Sequence, residues 1–260
     1  MSVVIASGFT GIAEPINNPR IGFDAPVSTG AASSSADGYD PNWVADGETW
    51  SVWEAGSNVS SLTISFPAQT ISYAAIAAHN LASIGGTVSC SVGGSISPTN
   101  NDAIMFLFLP RVESSVTFSF TGSGPARVAV ARAGAVLELP RPSVYLGTPI
   151  SQSRQVTYRH QRSLRGDILG RAVEGAQTNF DFTVNNLPET FRAATGDITW
   201  GGFLRHIDNV GPFFIASKPL SYPDDVAYVQ AAERPRFTRE TPNQALSGSI
   251  TISCTGYSAP

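Results

Sequence analysis

The sequence predicts a mainly β chain: an N-terminal β-sandwich followed by a C-terminal α+β domain with a short helical insert. Three observations predict this. Short runs rich in Val, Ile, Thr and Phe alternate with Gly, Pro, Ser and Asn clusters over the first half. Pro140-Arg141-Pro142 then interrupts both helix and ladder. Beyond it the rhythm changes to strands, a helical stretch, and strands again.

In the first half, Ser61 to Phe66 (SLTISF) alternates, with Leu62, Ile64 and Phe66 on one face. Ile71 to Ala78 is nearly all apolar, which fits a strand covered on both sides. Thr87 to Val92 alternates, Ala103 to Leu109 is a short apolar run, Ser115 to Phe120 (SVTFSF) alternates, and Ala126 to Ala131 is a further strand. Gly85-Gly86, Gly93-Gly94 and Gly122-Ser123-Gly124-Pro125 supply turns between them. Strands at this spacing predict a sandwich over residues 1–139 and a Pro-rich linker over 140–150.

The remainder, residues 151–260, reads as a docking or assembly domain. Gln152 to His160, Ile168 to Val173 and Gln177 to Val184 are strand-like. Pro188 and Glu189 suit a helix start. A second helix is predicted over Trp200 to Ile207, with Phe203, Leu204 and Ile207 at helical spacing, and Gly211-Pro212 ends it. Phe213 to Ala216, Val226 to Ala231 and Gly248 to Thr255 are strands.

Composition narrows the function. At 260 residues and 42% hydrophobic the chain can bury a core, and only 14% of it is charged, well below the usual quarter. The formal net charge of −4 does not favour a nucleic-acid partner. From Met1 to Pro110 a single Arg20 faces eight acids, whereas Arg111 to Arg171 holds nine arginines against three, a polarity suited to head-to-tail contact between subunits or simply to two differently solvated surfaces. Cys90 and Cys254 are too few for a disulfide framework and read as buried thiols. Met1 to Thr10 has neither a basic n-region nor the apolar run of a signal peptide, and no stretch approaches the roughly 18 apolar residues of a membrane helix. The expectation is synthesis in the cytoplasm without standard export or membrane insertion.

No G-x-S-x-G, G-x-x-x-x-G-K-[ST], H-E-x-x-H or C-x-x-C occurs, so no catalytic residues are assigned and an enzyme is not expected. The informative segment is Asp40 to Glu54, DPNWVADGETWSVWE, which holds Trp43, Trp50 and Trp53 around an Asp46-Gly47 turn. Indole faces beside polar loop groups suit a pyranose ring, and equally suit pinning a long loop to the sandwich edge. Arg154, Arg159, Arg162 and Arg165 could neutralise phosphate. The thin aromatic interleaving and the acidic first half favour arginine–carboxylate pairs between subunits instead.

The order of an A-D-G loop with a following tryptophan, a strand like SLTISF, and then I-x-Y-x-A-I-A-x-HNL resembles the galactose-binding-like (discoidin or F5/8 type C) jelly roll. It is especially similar to the version in tailed-bacteriophage virion proteins. The matching residues are Asp46, Gly47, Trp53, Ile64, Ile71, Ala75, Ile76, His79, Asn80 and Leu81, and the resemblance covers roughly Asn17 to Leu139. It implies ligand loops at one end of the sandwich. Glycan-binding candidates on that basis are Trp43, Asp46, Trp50, Trp53, His79 and Asn80, although His79 and Asn80 also fit a role orienting the strand end through backbone hydrogen bonds. Some members hold a structural Ca²⁺, for which Asp46 would be the residue; a lone carboxylate is not a calcium site, so no metal or cofactor is assigned. The C-terminal segments Tyr158 to Gly166, Gly211 to Phe214 and Tyr222 to Tyr228 are similar to a module that accompanies such jelly rolls in phage structural proteins. The resemblance implies a non-enzymatic virion protein, in particular a minor tail or tail-tip component that assembles as a homo-oligomer with other virion proteins. The alternatives are an adhesion module for host surface glycan and a capsid decoration protein.

Overall fold

The computed structural model describes residues 3–9, 17–142, 149–165, 167–239 and 247–258. Its first half contains β1 (Val3–Ile5), β2 (Arg20–Gly22), β3 (Thr29–Ala32), β4 (Trp53–Glu54), β5 (Val59–His79), β6 (Thr87–Cys90), β7 (Gly94–Ile96), β8 (Ala103–Thr121), β9 (Arg127–Gly134) and β10 (Leu137–Glu138). Its second half contains β11 (Arg154–Arg162), β12 (Ile168–Pro188), α1 (Glu189–Ala193), α2 (Trp200–Asp208), β13 (Phe213–Ala216), β14 (Val226–Ala231), β15 (Arg236–Arg239) and β16 (Ser247–Tyr257). The mainly β fold class and the jelly-roll sandwich with an α+β second part are as the sequence predicts.

Three pairs of short strands expected from periodicity are in fact single long ones, the third being β12, which spans both Ile168 to Val173 and Gln177 to Val184. β5 runs for 21 residues and β8 for 19, against about 3–10 for ordinary strands. They pair along their length, with register shifts between Ser65 and Gln69 and between Ile71 and Tyr73. Bulges of this kind bend a strand and raise its twist. The first half of β5 pairs with β3 and the second with β9; β6 takes the far half of β8 and β1 the near half, in parallel. The bent β5–β8 pair thereby contributes to both layers of the sandwich. Leu62, Ile64, Val116 and Phe118 from one layer meet Ala74, Ile76, Ile104 and Phe106 from the other in a single core.

The second sheet has the order β10-β2-β13-β14-β16-β12-β11, with β15 on β16. The sheet boundary does not follow the expected division at residues 139/140. β2 and β10 pair with each other, and β2 also pairs with β13, so Arg20–Gly22 and Leu137–Glu138 belong to the second sheet. Arg20, almost wholly buried, is held there by an ion pair with Glu138. Within the expected linker, residues 143–148 lie outside the described residues, and Ile150–Gln152 form a 3-10 turn. The helix predictions hold: Pro188 flanks α1, and the Thr199 hydroxyl caps α2 by accepting the Gly202 N–H at 3.2 Å. Trp200 and Phe203 of α2 cover the far face of the second sheet, where they join Phe213, Ile215, Val229 and Ile252.

The two sheets meet through a second apolar interface. Period-two alternation sends Ala74 and Ile76 into the sandwich core and Tyr73, Ala75 and Ala77 outward. Met105 and Leu107 of β8 and Ala129 of β9 point the same way, onto Phe214, Ala216, Val226 and Tyr228 of β13 and β14. The alanine-rich segment after Tyr73 therefore lies flat under a sheet that supplies the large rings, the small-on-large matching that dense packing requires.

His79 ends this doubly covered strand. Its Nδ1 accepts the Leu81 N–H at 3.3 Å, so the ring proton sits on Nε2, which has no partner among the described residues. Burial keeps the ring neutral and pushes its pKa down to about 3 from 6.5. The unfolded chain takes up this proton near pH 6.5 while the folded chain resists, so the stability present above pH 6.5 is lost progressively as the pH falls toward 3. Thermal unfolding followed at pH 7 and pH 5 is expected to show a loss of about 2 kcal/mol from this group. His206, whose pKa burial also lowers, acts in the same direction. His79→Gln, which cannot titrate, should flatten the dependence by the His79 contribution.

Candidate functional site

The Asp40–Trp53 loop is positioned from three directions. Asp40 caps a 3-10 turn over Pro41–Ala45, its Oδ1 accepting the Asn42 N–H at 2.8 Å. Val44 and Trp53 are fully buried in the sandwich core, which fixes the two ends of the loop. Between them, the Gly47 carbonyl accepts the Tyr228 hydroxyl at 2.7 Å, a buried bond that ties the loop to β14 of the second sheet. Gly47 has a φ of +84°, and a Cβ there would stand 2.3 Å from the Arg132 guanidinium. Only glycine fits, which accounts for the Asp-Gly pair. The loop is also pinned at Gly30, whose N–H donates to Asn42 Oδ1 at 3.1 Å and where a Cβ would meet the Pro41 carbonyl oxygen at 2.0 Å.

Held this way, the loop frames an open depression of about 600 Å³ lined by Tyr39, Trp43, Asp46, Trp50, Ser51, Val52 and Arg127. Trp43 is 39% exposed and Trp50 80% exposed, so two indole faces stand in solvent beside one carboxylate and one guanidinium. Asp46 Oδ1 accepts the Glu48 N–H at 2.7 Å and Oδ2 the Ser51 hydroxyl at 2.6 Å. Each oxygen keeps a further lone pair that can accept from a ligand hydroxyl. Arg127 is oriented by Glu54, whose Oε2 accepts from Nε at 2.8 Å and lies 2.7 Å from Nη2.

Of the six glycan-binding candidates, the structure brings together Trp43, Asp46 and Trp50. Trp53 must be withdrawn: it is fully buried, its Nε1–H donates to Ser35 Oγ at 2.9 Å, and its ring packs 5.8 Å from Phe120. His79 is buried at the strand end and cannot reach a ligand. Asn80 is engaged with the backbone, donating to the Pro125 carbonyl at 3.0 Å and accepting the Arg127 N–H at 2.8 Å. It thus sets the start of β9, from which Arg127 reaches the depression. Sequence reasoning missed Tyr39 and Arg127. Tyr39 sits one residue before the loop and could have been included; Arg127 arrives through its cross-strand pairing with Glu54, for which the sequence carries no local signal.

The residues do not fit a calcium site. Asp46 is the one carboxylate that lines the depression, and among the described residues no group of three His, Cys, Asp or Glu side chains converges on a metal position. A second cavity, of about 480 Å³, opens between the sheets and is lined by Asp24, Arg132, Asp197, Arg205 and His206 among others. Several of its polar groups are already engaged: Arg132 Nη1 donates to the Pro212 carbonyl at 2.9 Å, His206 Nε2 lies 3.0 Å from the same oxygen, and Arg205 pairs with Asp197 at 3.4 Å. That arrangement is a joint between the sheets.

The arginine set lies elsewhere. Arg154 and Arg159 stand exposed on β11 and Arg165 is exposed in the turn beyond it, while the Arg162 side chain lies outside the described residues. Cys90 and Cys254 are buried free thiols, and burial raises the pKa of both. Among the described residues no helix is long and apolar enough to cross a membrane.

No family model and no curated protein matches the chain. Among solved structures it is similar to a chitosan-binding module from a chitosanase/glucanase of Paenibacillus sp. IK-5, at 13% identity over 42% of this chain and 95% of that one, with a TM-score of 0.36. It is also similar to the family 32 CBM of Clostridium perfringens NanJ in complex with galactose, at 18% identity over 44% and 98% of the two chains and a TM-score of 0.35. A Streptococcus pneumoniae fucose-binding module is similar at 15% identity over 42% and 92%, with a TM-score of 0.36.

Since Asp46 acts on the turn and not on a metal, Asp46→Ala is expected to cost about 1 kcal/mol of stability. Calorimetry should give the same cost in calcium and in chelator, and the parent chain should melt at one temperature in both.

Proposed function

We propose that this chain is a non-catalytic glycan-binding protein, and that it serves as a minor tail or tail-tip component of a tailed-phage particle. The observation that carries the binding reading is the pair of solvent-facing indoles, Trp43 and Trp50, in one depression with Asp46 and Arg127. An indole left 80% exposed on a loop that is otherwise tightly anchored has no folding role to explain it. A pyranose ring offers what the depression matches: an apolar C–H face for the indoles, and hydroxyls for the Asp46 carboxylate and the oriented Arg127 guanidinium. The depression is open and shallow, suited to a chain end or single sugar unit rather than to enclosing a substrate.

The virion setting is supported by the resemblance of the Asp46–Leu81 stretch to the jelly rolls of tailed-phage proteins. In that setting the protein is made in the host cytoplasm, assembles in symmetric copies with other virion proteins, and presents the sandwich loops to a host surface glycan. The arginines of β11 and its turn belong to the contact between copies in this reading.

Isothermal titration against a panel of neutral and N-acetylated hexoses tests the binding reading. The parent chain should bind at least one member. Trp50→Ala should weaken that binding about tenfold, corresponding to a stacking contact of about 1.4 kcal/mol, with the melting temperature unchanged. Trp43→Ala should act in the same direction. Absence of binding across the panel, or binding indifferent to both substitutions, would overturn the reading.

A further inference from the structure

We propose that the β11–β12 ribbon is an assembly arm whose Tyr158–Leu169–Val173 face docks onto the body of a second copy of this chain. The inference rests on the reading of the protein as self-assembling and names the element that does it.

β12 pairs with β16 only from Gln177 onward, so its residues 168–176 pair with β11 alone. Among the described residues β11 has no other neighbour in the sheet. This part of the ribbon stands clear of the sheet, with its described side chains exposed or only half-buried on both faces. An isolated two-stranded ribbon is marginal in water, and each of its edges presents unpaired N–H and C=O groups. Such a structure gains stability when a partner covers it.

The ribbon is also the wrong way round for solvent. Tyr158 lies opposite Val173 and His160 opposite Arg171, so these four share a face, and Leu169 falls on it two residues from Arg171. Tyr158, Leu169 and Val173 are 41%, 69% and 56% exposed, and Leu164 stands fully exposed in the turn at the tip. The Arg171 guanidinium sits 4.4 Å over the Tyr158 ring, which organises this face without covering it. The opposite face carries Arg159, Gln161, Gly170 and Ala172, which ask for no apolar cover.

Charge selects the occupant. Residues 154–176 contain five arginines against two acids, while the whole chain is −4, so the remainder of the molecule is strongly acidic. Two arms repel each other, which disfavours symmetric arm-to-arm pairing. Arm and body attract, which gives a head-to-tail contact of the kind that closes into a ring.

Light scattering on the full chain, at low and at high salt, tests the proposal. The parent should run at a multiple of 27.4 kDa and lose mass as salt rises. Tyr158→Ser with Val173→Ser should shift it to the monomer, at least tenfold weaker in self-association, with glycan binding unchanged because neither side chain lines the tryptophan depression. Leu164→Asp, in the turn and outside both strands, should weaken association in the same way and guards against a ribbon that the double substitution melts. An assembly that persists in both variants overturns the arm and leaves assembly to another surface. A parent chain that is monomeric at every concentration overturns both the arm and the symmetric-assembly reading.

Discussion

Everything in this fold depends on one layer of strands that has no solvent face. The second half of β5, the first half of β8, and β9 carry the sandwich core on one side and the second sheet on the other. Alternation along a strand normally separates core from solvent; here it separates one core from another, so the strands read as continuous apolar runs. Tyr73, Ala75 and Ala77 owe their character to Phe214 and Tyr228, which lie more than a hundred residues away in sequence. The interface also explains why β2 and β10 leave the sandwich. β2 visits the second sheet between β1 and β3, and β10 carries the chain into it after β9, the two joined by the Arg20–Glu138 ion pair.

The candidate ligand loop inherits its order from that interface. Tyr228 contributes its ring to the contact between sheets and its hydroxyl to the Gly47 carbonyl, so one side chain joins the packing of the two sheets to the shape of the tryptophan loop. Burial pushes the Tyr228 pKa up to about 12, which keeps that hydroxyl a donor throughout the physiological range. The candidate surface is thus built on a tightly anchored scaffold, with exposed indoles at the top and satisfied hydrogen bonds beneath. The outer part of the β11–β12 ribbon has no such support, since residues 168–176 pair with β11 alone among the described residues.

Much of this was legible from the residues. The alternation in SLTISF, the doubly covered run after Ile71, the Asp-Gly turn and the Phe203–Ile207 spacing of α2 each encode a local period, and local periods are what a sequence carries openly. Long-range pairing is not carried in that way. Nothing in Ser61–Phe66 and Ile71–Ala78 says that they are one strand, because the intervening bulge breaks the period that would join them. Nothing near Arg20 says that its neighbour is Ala216. The three tryptophans of the loop look alike in sequence, yet Trp53 is a core residue and Trp50 a surface one. The difference lies in Trp53 pairing with Val128 on β9, a contact visible only in three dimensions.

The dependence of the whole molecule on the layer between the two cores is tested most directly by differential scanning calorimetry of the full chain. With that layer shared, neither sheet can unfold without exposing the other, and a single transition is expected whose calorimetric and van't Hoff enthalpies agree. Two resolved transitions, with the sandwich and the second sheet melting independently, would contradict it.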